Sequence, residues 1–475
     1  MQFTPQKYGR EVMNSISING TMCQTIHFAG IFGSGMSAIA QYLAGGGIGV
    51  TGSDRLLDAP DSAKVKERLL ACGCQIYPQD GSGITQDTSA VCVSTAIEES
   101  NPDIAAARNY NIPVLHRSDV LAALVKSSRS IAVAGTSGKS TVTAMIFELL
   151  AACGKSPSLI SGAGLRSLEE KGMIGNAYRG NSDLLVIEAD ESDGTLIKYE
   201  PYASVILNIS KDHKPEEEVL AMFARLISQS RWSAVCADDT KLRDLCVSSA
   251  APEITTFGFG DGARFKGEIT KSEPLSSAIN VDGVVYTLPI PGAYNASNLL
   301  AALCVCTHLG CNPAQLAEAA ANYKGVDRRF AIHRAKSGVT VIDDFAHNPE
   351  KIRAAVNAAQ NLSGSVIAVY QPHGFGPTRF LKDEYAKTFR EIFRPDDILC
   401  MLPIYYAGGT AVKDISSRDI IELTGKVDFK AVAVDSRDEA VDMIKKYVRK
   451  DSVVIVMGAR DASLSSFVKT IANAL

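Results

Sequence analysis

The segment IAVAGTSGKSTVTAMI, residues 131–146, constrains this chain more than any other. An apolar β-type run, Ile131–Ala134, stops at Gly135-Thr136-Ser137-Gly138-Lys139-Ser140-Thr141, and Ser140–Ala152 continues with helical character. A strand that turns through glycines into a helix aims backbone N–H groups into the turn, and the helix adds its positive dipole end. Such a turn cradles phosphate. Lys139 can reach β- and γ-phosphates, and the Ser140 hydroxyl is the natural Mg²⁺ ligand beside them. The general pattern is G-x-x-x-x-G-K-[ST]. Val133 stands where its first glycine belongs, so this loop is a shortened variant. A plain strand–helix turn with a surface lysine does not require strand, glycines, lysine, hydroxyl and helix in this order, so nucleoside triphosphate binding is the reading that accounts for all five.

The rest of the chain repeats the alternation of short apolar runs with longer amphipathic ones, the mark of parallel α/β sheets. Thr25–Ala29, Ile48–Thr51, Ala90–Val93 and Pro113–Leu115 read as strands of a first unit, with helices at Met36–Ala44 and Asp103–Asn109. Ser127–Arg129 reads as a linker. Leu184–Ile187 and Ser204–Leu207 join the strand at 131–134 in a second unit, and residues 253–290 read as a small antiparallel sheet before the helix Asn295–Leu309. In a third unit Val339–Ile342, Ser365–Tyr370, Asp397–Met401 and Val453–Met457 are strands. The expected fold class is α/β in three domains. Residues 1–126 form a Rossmann-like domain. Residues 127–325 form a P-loop ATPase-type domain, with a mostly parallel sheet and a small antiparallel one. Residues 326–475 form a second Rossmann-like domain.

Charge and cysteine usage exclude several classes. The formal net charge is −4, with no basic tail, which argues against a nucleic-acid or membrane-surface partner. No apolar run is long enough to span a bilayer, and MQFTPQKYGREVMNS lacks the apolar core of a secretion signal, so a cytoplasmic protein is expected. The eleven cysteines are scattered without a C-x-x-C, which suits reduced, buried thiols. His308 follows Cys306 on an apolar helical stretch, where a core role is expected over a metal ligand.

Two further clusters carry chemistry. LLVIEADESD places Glu188, Asp190, Glu191 and Asp193 at the end of an apolar strand, where ligands gather in α/β sheets. Mg²⁺ needs only one or two carboxylates, because it keeps several waters. A second strand, ASVILN, leads to Asp212 and His213, a weak signal taken alone. Nearer the N-terminus, Gly30, Gly33 and Gly35 follow a strand, with Asp54 about twenty residues on. That spacing is open to a dinucleotide, a nucleotide-sugar or a structural turn.

GTSGKST, EADESD, N-I-x-x-D-H, the run Gly292–Ala302, Arg328-Arg329-Phe330 and DDFAHNP at 343–349 resemble, in order and spacing, the motifs of the Mur ligase family. HFAGIFGSGMSAIA, TGSDR, STAIEESNP and IPVLHRSDVLAAL extend the resemblance over nearly the whole chain from about residue 25. The resemblance implies an enzyme that uses ATP and Mg²⁺ to join an amino acid to a nucleotide-sugar carboxylate during cell-wall precursor synthesis. L-alanine and UDP-N-acetylmuramate are the first candidates. A peptide-recycling ligase, a pseudomurein-type ligase and a non-catalytic nucleotide-binding partner are the alternatives. The expected oligomeric state is a monomer or weak homodimer.

Residue by residue, the resemblance implies that Gly135, Thr136, Ser137, Gly138, Lys139, Ser140 and Thr141 hold the ATP phosphates. Ser140, Glu188 and His213 are the metal ligands. Asn295 and Asn298 face the adenine side, Arg329 the phosphates and Asp344 the ribose. Gly30, Gly33, Gly35, Met36, Ser37, Asp54, Ser94, Thr95 and Ala96 surround the UDP pyrophosphate. The amine must lose a proton before it attacks, and His347 is a candidate base or a structural histidine. His373 and Arg379, in QPHGFGPTRF, are candidates to grip the incoming amino acid. The chain departs from the family pattern at Ser137, Ser140, Tyr294, Asn348, Gly374 and the GARD of 458–461. The nucleotide motifs stay recognisable, while the identity of the added amino acid or peptide is left open.

Overall fold

The computed structural model describes residues 13–59, 62–192, 194–210, 215–248, 253–273, 275–406, 412–461 and 463–475. By internal contacts the chain divides into two compact units, one built from residues up to Val326 and the other essentially Asp327–Leu475.

The first unit holds two parallel sheets. In the N-terminal sheet the order is Gln75–Tyr77, Gly49–Ser53, Thr25–Ala29, Ala90–Val93, Val114–His116, with every pair parallel. The strand Thr25–Ala29 is central, and Ile26, Phe28 and Ala29 are fully buried. Helix Ser34–Ala44 begins two residues earlier than periodicity suggests, so the turn is only Gly30–Gly33 and Gly35 already lies in the helix.

The second sheet runs Ala177–Tyr178, Ser158–Ile160, Leu184–Glu188, Arg129–Ala134, Ala203–Ile206, Trp232–Cys236, Ile254–Gly258, Phe265–Lys266. Only the pair at the Ala177 edge is antiparallel. Arg129, read as linker, opens the central strand. Ile131–Ala134 has neighbours on both sides and is wholly buried, which explains its unbroken apolar run. Helices Lys139–Ala152 and Ala293–His308 pack together beside this sheet.

The reading of 253–290 as one antiparallel sheet is corrected in its first half. Ile254–Gly258 and Phe265–Lys266 extend the parallel sheet, because the Asp238 carboxylate accepts the N–H groups of Phe259 (2.9 Å) and Gly260 (2.8 Å) and turns the chain back alongside. Glu268–Glu273, Ser276–Val281 and Val284–Leu288 form the small sheet. Ser276–Val281 pairs antiparallel with Val284–Leu288 through a turn whose Asp282 and Gly283 both have positive φ, +50° and +83°.

The second unit is a six-stranded sheet ordered Ala331–Arg334, Thr340–Asp344, Val453–Gly458, Val366–Gln371, Ile398–Met401, Lys430–Ala433. It is parallel except at the Ala331–Arg334 edge. Apolar clusters cover both faces, one around Tyr370, Phe389 and Ile455, the other around Val369, Phe467 and Ile471. All eleven cysteines are free thiols, and His308 stacks on Trp232 at 3.9 Å, a packing role. Among the described residues no helix is long and apolar enough to cross a membrane.

Candidate active site

The phosphate loop leaves the C-terminal end of the central strand Arg129–Ala134 and enters helix Lys139–Ala152. Gly138 has φ +85°, and a Cβ there would lie 2.6 Å from the Asn298 Oδ1, so glycine is required on both counts. Asn208, at the end of the neighbouring strand, clamps the turn. Its Oδ1 accepts the Ser137 N–H (2.9 Å) and the Thr136 hydroxyl (2.9 Å), and its Nδ2 donates to the Ser137 carbonyl (3.0 Å). The motif reading quoted Asn208 but assigned it no role, because its partners come from a different strand.

Carboxylates close the loop's open side. The Ser140 hydroxyl donates to Glu188, 2.9 and 3.0 Å from its two oxygens. The Gly162 N–H (2.9 Å) and the Ser161 hydroxyl (3.4 Å) reach the same carboxylate. Lys139 Nζ donates to the Gly135 carbonyl (2.8 Å) and to Glu191 (2.7 Å), with Asp190 at 3.6 Å. Burial works to lower the Lys139 pKa, but Glu191 and Asp190 outweigh it and hold the ammonium above its ordinary range. Burial pushes Glu191 up against the pull of Lys139. Burial also acts to raise Asp190, yet Lys139, the Ser192 hydrogen bonds and Arg117 keep it low. The lysine thus rests on carboxylates and a carbonyl, partners that a triphosphate can replace. His213, Asp212 and Asp193 lie outside the described residues.

The donor set at Ser140 and Glu188 suits magnesium. Both groups offer hard oxygen atoms from adjoining elements, and Mg²⁺ prefers one or two such ligands supplemented by water and phosphate oxygens. Asn295 and Asn298 lie buried on helix Ala293–His308, linked at 3.4 Å, with Asn298 against Gly138. Asn298 is therefore placed at the phosphate loop itself. Thr141 is buried in the first helical turn.

The N-terminal turn is built differently. Gly30, at φ +78°, and Ile31 donate their N–H groups to the Ser53 carbonyl at 2.8 and 3.0 Å. Asp54 is nearly buried, and its carboxylate accepts the N–H groups of Phe32 (3.0 Å) and Leu56 (2.9 Å). It braces the turn. Gly33 N–H bonds the Gly30 carbonyl at 3.2 Å. Met36 and Ser37 are buried, and the Ser37 hydroxyl donates to the Ser34 carbonyl at 3.1 Å. Ser94, Thr95 and Ala96 form the turn after Ala90–Val93, and Ile97 lies 3.1 Å from where a Gly30 Cβ would be. Arg117, passed over in IPVLHRSDVLAAL, brings its Nη1 to 2.9 Å from an ideal Gly35 Cβ. No cation stands inside the glycine motif, so sequence reasoning had no local cue for one.

In the second unit Arg328 and Phe330 have positive φ, +57° and +52°, and bracket Arg329, whose guanidinium lies over the Phe345 ring at 4.6 Å. Asp344 accepts the Phe330 and Ala346 N–H groups, both at 2.8 Å. Burial raises its pKa to about 6, against the nearby Arg329. His347 Nδ1 pairs with the Phe345 carbonyl at 2.8 Å, which assigns the proton to Nδ1 and leaves Nε2 the basic nitrogen. Tyr370 and Tyr385 hydroxyls donate to the His347 carbonyl at 3.1 and 2.7 Å and fix its backbone. The His373 ring lies 5.4 Å from that of His347. Arg379 is engaged separately, with Asp414 (Nε–Oδ1 2.9 Å) and the Val412 carbonyl (3.1 Å), beside a cavity of about 500 Å³ shared with Lys382 and Glu422.

A phosphate-cradling turn, oxygen donors for a divalent cation and a second glycine turn in the same unit define a nucleotide-dependent group-transfer enzyme. Three family models cover the chain: Mur ligase family, catalytic domain at 25–129, Mur ligase middle domain at 133–306, and Mur ligase, glutamate ligase domain at 328–460. The chain belongs to the Mur ligase family. It is 35% identical over 454 residues to the UDP-N-acetylmuramate–L-alanine ligase of Paenarthrobacter aurescens, covering 92% of this chain and 94% of the relative. The corresponding ligase of Pelotomaculum thermopropionicum is 34% identical over 453 residues, with 92% and 95% covered. Among solved structures, the UDP-N-acetylmuramate-alanine ligase of Thermotoga maritima superposes with a TM-score of 0.76 at 25% identity, over 94% of this chain and 98% of that one.

Proposed function

We propose that this chain is an ATP-dependent ligase that joins L-alanine to the carboxylate of UDP-N-acetylmuramate, a step of peptidoglycan precursor synthesis in the cytoplasm. The relatives' names and family membership support the reaction, and one observation carries it: the Ser140 hydroxyl held against Glu188 at the mouth of a loop whose lysine rests on exchangeable partners.

A carboxylate is a poor electrophile. In the proposed reaction its oxygen bonds the γ-phosphorus of ATP, the bond to the ADP oxygen breaks, and an acyl phosphate results. The alanine amine then attacks the carbonyl carbon and phosphate leaves. Lys139 and the N–H groups of residues 138–141, at the start of the helix, stabilise charge on the transferring phosphoryl group. Ser140 and Glu188 would hold one Mg²⁺ and His213 a second; when bound, they neutralise charge on the phosphate oxygens. Asn295 and Asn298 take the adenine side, Asn298 also lying against the phosphate loop, and Asp344 and Arg329 are the proposed contacts to the ribose and phosphates. Gly30, Gly33 and Gly35, the turn Ser94–Ala96 and Arg117 take the UDP pyrophosphate. His347 Nε2 accepts the amine proton, and His373 and Arg379 orient the amino acid. The domain division proposed is 1–126, 127–325 and 326–475.

Phosphate release from ATP, with UDP-N-acetylmuramate and each amino acid or an alanyl peptide in turn, tests this. L-alanine should give the highest kcat/KM. Release only with an alanyl peptide assigns the chain to recycling, and no release with any acceptor makes it a non-catalytic nucleotide binder.

A further inference from the structure

The two glycine loops are joined by an unbroken chain of contacts through Asn176. Asn176 is 3% exposed and sits immediately before the edge strand Ala177–Tyr178. Its Nδ2 donates to the Ser34 carbonyl (2.7 Å) and the Ser37 hydroxyl (3.0 Å), both in the first turn of the helix that follows the N-terminal glycine turn. Its Oδ1 accepts from Gln41 Nε2 at 2.8 Å, one turn further on. Its backbone carbonyl accepts the Ser161 N–H at 2.8 Å. Ser161 and Gly162 are the residues that reach Glu188, which in turn holds Ser140. A buried amide with every polar atom engaged has one arrangement available, and leaving any of them unpaired is costly. A shift of the first helical turn when an anion arrives above it therefore moves Asn176, and the backbone of Asn176 is pinned to the segment that braces the metal-side carboxylate.

We propose that Asn176 is a positioning residue that couples the two nucleotide sites: filling the N-terminal loop sets Ser161–Gly162, and through them Glu188, for the triphosphate. The proposal rests on the ligase reading above. Coupling of this kind is reciprocal, so it is read in binding without turnover.

The test uses the full chain, a non-hydrolysable ATP analogue with Mg²⁺, and UDP-N-acetylmuramate, by calorimetry. In the unaltered chain UDP-N-acetylmuramate should tighten the analogue by about fivefold or more. In Asn176→Ala the analogue should bind alone as before, while the tightening falls to within about twofold. Gln41→Ala, which removes one hold on the amide, should give an intermediate value and decides the matter if Asn176→Ala does not fold. Tightening that survives intact in a folded Asn176→Ala, or in Gln41→Ala where only that variant folds, overturns the proposal. So does independent binding of both ligands by the unaltered chain, which leaves the ligase reading standing. An unaltered chain that binds neither nucleotide overturns the ligase reading as well.

Discussion

The turn at Gly30–Gly33 and the turn at Gly135–Gly138 share one backbone plan, yet they are furnished for different work. Each follows a central parallel strand and opens a helix. In the first, Gly30, Ile31, Phe32 and Gly33 spend their N–H groups on Ser53, Asp54 and Gly30, leaving the first helical turn to meet an anion. A guanidinium beside it, that of Arg117, arrives from another strand–helix junction. In the second, a lysine opens the helix straight after the turn, a hydroxyl follows it, and Glu188, Asp190 and Glu191 face them. On the proposed reaction the same turn binds in one place and performs phosphoryl transfer in the other. The difference lies in which charges the flanking strands deliver.

The comparison breaks first at Lys139. Lys139→Ala should lower kcat by about 10³-fold or more, measured as phosphate release, with UDP-N-acetylmuramate binding intact. Glu188→Gln should cost about 10²-fold in kcat and raise the Mg²⁺ concentration needed for half-maximal rate; an unchanged Mg²⁺ dependence removes Glu188 from the metal. Arg117→Ala should raise KM for UDP-N-acetylmuramate about tenfold and KM for ATP by less, since the guanidinium also acts on Asp190. Asn208→Ala should destabilise the chain by about 1–3 kcal/mol in denaturant titration, because Ser137 and Thr136 lose their partner.

A smaller effect sharpens the account in the second unit. The Asp344 pKa, raised by burial to about 6, lies above that of an unfolded carboxyl near ~3.9. The folded chain binds that proton more tightly. Its contribution to stability is therefore complete below about 4 and lost as pH rises through about 6. With Asp344 proposed as the carboxylate that binds the ribose, KM for ATP should climb as pH falls through about 6. A pH-independent KM down to 5 would detach Asp344 from ATP.

The phosphate loop was readable from sequence because its whole constellation is local, a strand, glycines, Lys139 and Ser140 within eleven residues. Glu188 was readable because it ends an apolar strand. Asn208, Arg117 and Asn176 were not, since each acts on a segment 71 or more residues away or through a strand–helix junction that periodicity does not mark. The strands at 254–258 and 265–266 were misjudged for a related reason. Half-buried strands near a sheet edge, with scattered glycines, look alike in a parallel and an antiparallel sheet, and Asp238, which turns the chain, lies outside them. The helix start at Ser34 was missed by two residues because no side chain caps it.

A crystal structure of the chain with Mg²⁺ and a non-hydrolysable ATP analogue tests the central claim most directly. Lys139 Nζ should leave Glu191 for the γ-phosphate, and a cation should stand about 2.1 Å from Ser140 Oγ, on the Glu188 side. A nucleotide bound elsewhere, with the Ser140–Glu188 and Lys139–Glu191 contacts undisturbed, would contradict it.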